Sequence, residues 1–101
     1  MRYEHSNGDW VEIEGAADMP FAVLGRAQTD VNELERVLKR ILKGYGFTDW
    51  DGEPVDLLAP SGDPEREAGL PDINHLSRRQ LVWLRSRLWE AVRDEEIDPE
   101  A

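Results

Sequence analysis

The chain has 101 residues and no cysteine, and its 22 acidic against 12 basic side chains give a formal net charge of −10 at pH 7. This length allows one small domain with a modest core and excludes a large multidomain enzyme. The negative charge repels phosphates and anionic lipid headgroups, so neither nucleic-acid nor membrane-surface binding is expected, and without cysteine there is no disulfide or thiolate zinc site.

The first fourteen residues predict a β-hairpin, because the turn sequence Asn7-Gly8 separates two alternating segments. A three-residue loop over 6–8 places Tyr3 opposite Val11 on one face. In this register Trp10 lies beside Glu4 on the polar face. Trp10 is therefore either covered by a helix or an exposed interface anchor.

Two helical segments follow the hairpin. A short helix is predicted near 20–27, since proline is tolerated at a helix start. A longer amphipathic helix is predicted over 30–43, with a start signal formed by Asp30 and Glu33. Its apolar face is formed by Val31, Leu34, Val37, Leu38, Ile41 and Leu42, and its solvated face carries Arg36, Lys39, Arg40 and Lys43.

Residues 44–75 are rich in proline and glycine and predict an irregular strap. Within it, residues 60–72 are expected to form a mobile loop. The apolar side chains of the strap are expected to dock onto the helices; they are Phe47, Trp50, Val55, Leu57 and Leu58.

The last helix is predicted over 78–94, where Ser77 and Gln80 form a capping box. Its apolar stripe contains Leu81, Leu84, Leu88, Ala91 and Val92, widened by Val82 and Trp89 to a face broader than one neighbour needs. Trp83 falls on the opposite side. It is therefore expected either to be exposed or to be buried by another chain.

The charges of this helix oppose its dipole, with Arg78 and Arg79 at its start and the acidic residues 94–96 at its end. Ion pairs with other segments, or partners at both ends, would offset this. The predicted organisation is a single α+β domain over 1–93, in which the hairpin packs on the two main helices. An acidic flexible tail over 94–101 follows.

No catalytic constellation is found in the sequence. His5 and His75 have no partner at metal-ligand spacing, and the acidic segment 49–56 lacks the pattern of a calcium loop. Neither a nucleophile elbow nor a phosphate-binding glycine loop is present. The sequence therefore predicts a protein that is not an enzyme, with neither a cofactor nor a metal.

Three features occur in an order that resembles small tail proteins of long-tailed actinobacterial phages, above all the tail assembly chaperones. They are the strand Asp9–Ile13, the central helix, and the segment 46–55 with Trp50, Asp51-Gly52 and Pro54, followed by the proline-rich stretch and the final helix.

The resemblance implies a chaperone that covers the tape-measure protein and delivers it to tail-tube subunits. A permanent connector or tube-end protein of the same virion is a related alternative. The expected partner surface contains Trp83, Trp89, Leu88 and Val82, with Trp10 and Trp50 in addition, and homo-oligomerisation is a further expectation.

Two other classes remain open. An acidic mimic of DNA would use the negative charge, which is concentrated in residues 51–101 with 13 acidic against 6 basic side chains. An antitoxin-like or adaptor protein is the third interpretation. The polar N-terminus lacks a signal peptide pattern, so the expected location is the cytoplasm, the host's if the protein is viral, or the virion.

Overall fold

The computed structural model describes residues 1–60 and 64–97, and these form an α+β fold of one antiparallel sheet and three helices. The strands are β1 (Arg2–Glu4), β2 (Trp10–Ile13) and β3 (Leu42–Gly46), in the order β1-β2-β3. The helices are α1 (Phe21–Ala27), α2 (Val31–Ile41) and α3 (Arg78–Ile97). The predicted hairpin packed on helices is confirmed.

The hairpin register is the predicted one, with Tyr3 opposite Val11 and Glu4 opposite Trp10. Gly8 has a φ of 98°, as the left-handed position of a three-residue loop requires. Asn7 fixes the loop, because its side-chain oxygen accepts a hydrogen bond of 2.9 Å from the Asp9 N–H. Local turn chemistry therefore determines this part of the sheet.

Strand β3 was not predicted and corrects two boundaries. Helix α2 ends at Ile41 rather than residue 43, and residues 44–46 belong to the sheet rather than to the strap. Gly46 lies opposite Trp10, and a Cβ on Gly46 would overlap with Trp10 Nε1. Glycine at this position therefore lets the indole lie flat against the neighbouring strand.

The predicted helix starts are confirmed at each main helix. Asp30 accepts a hydrogen bond from the Asn32 N–H at the start of α2, and α1 begins directly after Pro20. At the start of α3, Ser77 and Gln80 exchange the two hydrogen bonds of a capping box, at 2.9 and 3.1 Å.

Helix α3 continues past the predicted domain boundary at residue 93 and ends at Ile97. Residues 94–97 therefore belong to the helix and not to a flexible tail. Asp94 accepts a 3.0 Å hydrogen bond from the Tyr3 hydroxyl, and Glu95 accepts hydrogen bonds from the N–H groups of Gly15 and Ala17. The rest of the predicted tail, 98–101, lies outside the described residues.

The core lies between the inner face of the sheet and the helices. It combines β2, α2 and α3 through Val11, Ile13, Leu34, Leu38, Ile41, Leu84 and Leu88. From the predicted strap, Phe47 and Leu57 dock as expected, whereas Leu58 and Trp50 are exposed and that prediction is wrong for them. The part of the predicted loop 60–72 that the structure describes is packed at its end, where residues 70–72 are buried. Among the described helices, none combines the length and apolar character that crossing a bilayer requires.

Candidate interaction surface

Helix α3 buries the predicted stripe but not the two residues expected to widen it. Leu84, Leu88 and Ala91 are buried, whereas Val82 and Trp89 are exposed, so the core lies about 60° around the helix from the centre of the widened face. Leu88 is fully buried and is therefore unavailable to a partner, which corrects its assignment. The sequence left the width of the buried face ambiguous, because apolar residues occur on both flanks of this helix.

Trp83 contacts the interior instead of pointing away from it. Its ring is half-buried and lies edge-on to Phe47 and His5, with centroid distances of 6.2 and 5.3 Å. The Arg87 guanidinium lies 5.8 Å from the same ring. Both predicted alternatives for Trp83, exposure and burial by another chain, are wrong because residue 47 of the strap reaches it.

Trp10 is also largely covered by its own chain. It lies on the outer face of the sheet against Gly44 and Gly46, and the Arg2 guanidinium lies 4.1 Å from its ring centroid. The ring is half-buried. It is covered by a strand and an arginine, rather than by a helix.

The remaining three candidates are exposed. Val82 and Trp89 are 57% and 40% exposed on the outer face of α3. Trp50 is 99% exposed, although burying an indole is among the largest apolar gains a side chain offers. Trp50 is thus the most exposed large apolar side chain of the described residues.

The turn that carries Trp50 is fixed by hydrogen bonds. The Asp49 carboxylate accepts hydrogen bonds from the N–H groups of Asp51 and Glu53, both at 2.9 Å. The Asp49 N–H donates to the Glu53 carbonyl at 2.8 Å, and Gly52 has a φ of 84°. The chain therefore presents the indole from an ordered turn.

An open groove of about 920 Å³ separates this turn from the start of α3. We call it the Trp50 groove; it is lined by residues 48–51 and 75–80. Its two sides are joined where Gln80 Nε2 donates to the Thr48 carbonyl at 2.7 Å, and Asp9 accepts from the Thr48 N–H at 3.3 Å. These hydrogen bonds therefore tie the turn that carries Trp50 to the start of α3 and to the hairpin.

The charges of the groove differ from those of the whole chain. Arg78 and Arg79 are exposed on its helical side, and neither forms an ion pair with any residue in 1–60 or 64–97. Asp49 and Asp51 lie on the other side, but Asp49 is already an acceptor of two backbone N–H groups. A partner segment with an apolar side chain beside an acidic one would therefore contact an indole and two guanidinium groups that have no ion pair among the described residues.

A buried polar cluster missed by sequence analysis holds residues 66–75 against α2. Glu35 is fully buried, and its carboxylate accepts hydrogen bonds from Arg66 Nη2 and from the Ile73 N–H. Asp72 lies 3.7 Å from Arg66 Nη1 and 3.8 Å from His75 Nε2. A sequence signal did exist, because Glu35 lies only about 40° beyond Val31 on the helical wheel, at the edge of the apolar face.

A second polar contact joins β1 to the end of α3. Burial of Tyr3 and its hydrogen bond to Asp94 raise the pKa of the phenol well above its usual range. This contact stabilises the fold while the phenol is protonated. The acidic end of α3 thus has partners within the chain.

Comparison with known proteins gives no relative: no family model matches the chain, and neither a curated protein nor a solved structure matches it. Within residues 1–60 and 64–97, no group of three histidine, aspartate or glutamate side chains is placed to hold a metal ion. The Trp50 groove and the outer face of α3 carry the exposed tryptophans, Trp50 and Trp89.

Proposed function

We propose that this chain is a non-enzymatic protein-binding module of phage tail assembly, a chaperone that binds a helical segment of the tape-measure protein in the Trp50 groove. The observation that carries the proposal is the complete exposure of Trp50 on a turn fixed by Asp49. Burying this side chain in a complex would contribute about 4–6 kcal/mol before the cost of ordering the partner.

The neighbouring charges define the segment that would fit. Arg78 and Arg79 favour an acidic side chain next to the apolar one that covers the indole. The groove itself does not identify its partner. The tape-measure protein is implied by the resemblance of segment 46–55 and the elements around it to phage tail assembly chaperones. The proposal therefore combines a surface of the structure with a partner suggested by the sequence.

The acidic side chains give less support to mimicry of DNA. Four of them, Asp9, Glu35, Asp94 and Glu95, accept hydrogen bonds from distant parts of the chain. Their charge therefore stabilises the fold and is not arrayed along one surface.

The test is co-expression with the tape-measure protein encoded in the same genome. The chain is expected to keep that protein in solution and to co-purify with it. Trp50→Ala should weaken the complex about 30-fold, as loss of a central aromatic anchor does. The matched control is Phe21→Ala, because Phe21 is 83% exposed on α1, away from the groove.

Three outcomes would overturn the proposal. They are failure to bind the tape-measure protein, equal effects of the Trp50 and Phe21 variants, and binding only of a DNA-binding protein that is lost in high salt. Recovery of the chain in finished tails would instead indicate that it is a permanent connector and not a chaperone.

A further inference from the structure

The outer face of α3 is a continuous exposed surface along the whole helix. Its exposed residues lie within about 100° of one another, and the helix is about 30 Å long. They are Arg78, Arg79, Val82, Ser86, Trp89, Arg93, Glu96 and Ile97. From residue 79 to 96 their spacing alternates between three and four, which is the spacing of a helix–helix seam.

The charges on this face are reversed relative to the helix dipole. Arg79 lies in the first turn, where the helix is positive, and Glu96 lies in the last turn, where it is negative. Both charges would be placed favourably beside an antiparallel neighbour of the same kind, because the ends of its dipole are exchanged. No helix of the described chain lies antiparallel along this face, since its residues are exposed from end to end.

We propose that α3 pairs with α3 of a second copy of this chain, antiparallel about a two-fold axis between residues 87 and 88. In this register every exposed residue of the face meets another exposed residue. Arg79 lies opposite Glu96, and the Trp89 ring packs over the small Ser86. The aliphatic part of Arg93 covers Val82.

Charge complementarity selects the second copy over an unrelated partner. The face carries three arginines and one acid, Glu96, and the antiparallel register brings Glu96 of each copy to Arg78 and Arg79 of the other copy. The apolar contribution comes from Val82 and Trp89, which are exposed in the single chain. With only two such side chains per copy, the dimer is a weak one whose population depends on concentration.

The test is sedimentation velocity over a concentration series, with Arg79→Glu and Glu96→Arg as separate variants. Each substitution replaces two attractive contacts of the dimer by repulsive ones and should weaken association about tenfold or more. Each also places a favourable charge on its own helix dipole, so thermal unfolding of the monomer should shift upward. Weaker association combined with a more stable monomer excludes misfolding as the cause.

Mixing the two variants provides the decisive measurement. In the mixed pair, the glutamate introduced at position 79 of one copy faces the arginine introduced at position 96 of the other. On the opposite side of the axis, the unchanged Glu96 of the first copy faces the unchanged Arg79 of the second. A heterodimer should therefore form where neither variant associates alone. The control is Arg40→Glu on the exposed side of α2, which makes the same charge change and should leave association unaltered.

A monomeric wild-type chain throughout the series would overturn the proposal. Unchanged association of both variants, or a mixture that stays monomeric, would do the same. Arg79 lies on both surfaces, so Arg79→Glu should weaken both interactions, whereas Trp50→Ala should weaken only tape-measure binding and Glu96→Arg only self-association. These two variants keep failure of this inference distinguishable from failure of the tape-measure proposal.

Discussion

Replacing Arg66 by methionine should destabilise the fold strongly, because it leaves the Glu35 carboxylate without its charged partner. The Glu35 side chain is 1% exposed and that of Arg66 is 17% exposed. Breaking such a buried pair by removing one partner costs about 3–5 kcal/mol. A chain of this size has a free energy of unfolding of about 5–15 kcal/mol, so the variant should lose a large part of it.

The measurement is urea unfolding followed by tryptophan fluorescence, for which the half-buried Trp83 and Trp10 are internal reporters. The double variant Glu35→Leu with Arg66→Met should recover part of the loss, since the charge of Glu35 is then removed while Asp72 stays buried beside His75. Arg36→Met is the control, because its ion pairs with Glu33 and Glu67 are exposed and contribute less than about 1 kcal/mol. A loss below about 1 kcal/mol for the Arg66 variant, or additive losses in the double variant, would refute the argument.

Two further predictions concern the sheet. Gly46→Ala should lower the free energy of unfolding in urea by about 1–3 kcal/mol, because the new Cβ displaces the Trp10 indole. Gly25→Ala is the control: it has open space within α1 and should raise the free energy of unfolding by about 0.4–1 kcal/mol. Equal effects of the two variants would contradict the packing of Trp10. Because the pKa of Tyr3 is raised from an ordinary value of 10.0, the folded chain holds its phenolic proton more tightly than the unfolded chain, and stability should fall as the pH rises above 10.0. Tyr3→Phe should remove that fall and, by losing the hydrogen bond to Asp94, cost about 1 kcal/mol at neutral pH; an unchanged alkaline profile would contradict it.

The features that sequence analysis predicted correctly depend on residues close together in the chain. The hairpin register follows from a turn and from side chains that alternate across a strand. The start of α3 follows from the spacing of Ser77 and Gln80, and the start of α2 follows from Asp30. Each signal lies within one turn or one hairpin, so it does not depend on a distant contact.

The features that it missed depend on distant contacts. Leu42 continues the apolar pattern of α2, yet pairing with β2 draws it into a strand. The partial burial of Trp83 depends on residue 47, which contacts its ring from a segment without regular structure. The burial of Glu35 similarly depends on Arg66, which lies 31 residues away in the sequence.

The two ends of α3 differ in a way that separates stability from binding. Tyr3 and the N–H groups of residues 15 and 17 bind the acidic end, whereas Arg78 and Arg79 at the other end have no ionic partner among the described residues. Added salt screens exposed charges much more than buried ones. Raising the salt concentration should therefore weaken the Arg79–Glu96 association in sedimentation, while the urea midpoint, which depends on Glu35 and Arg66, changes little. Binding that depends on Trp50 should lose only the contribution of Arg78 and Arg79 and otherwise persist, because burial of an indole does not rely on charge. Self-association that is insensitive to salt would show that charge does not select the second copy, even if a dimer forms.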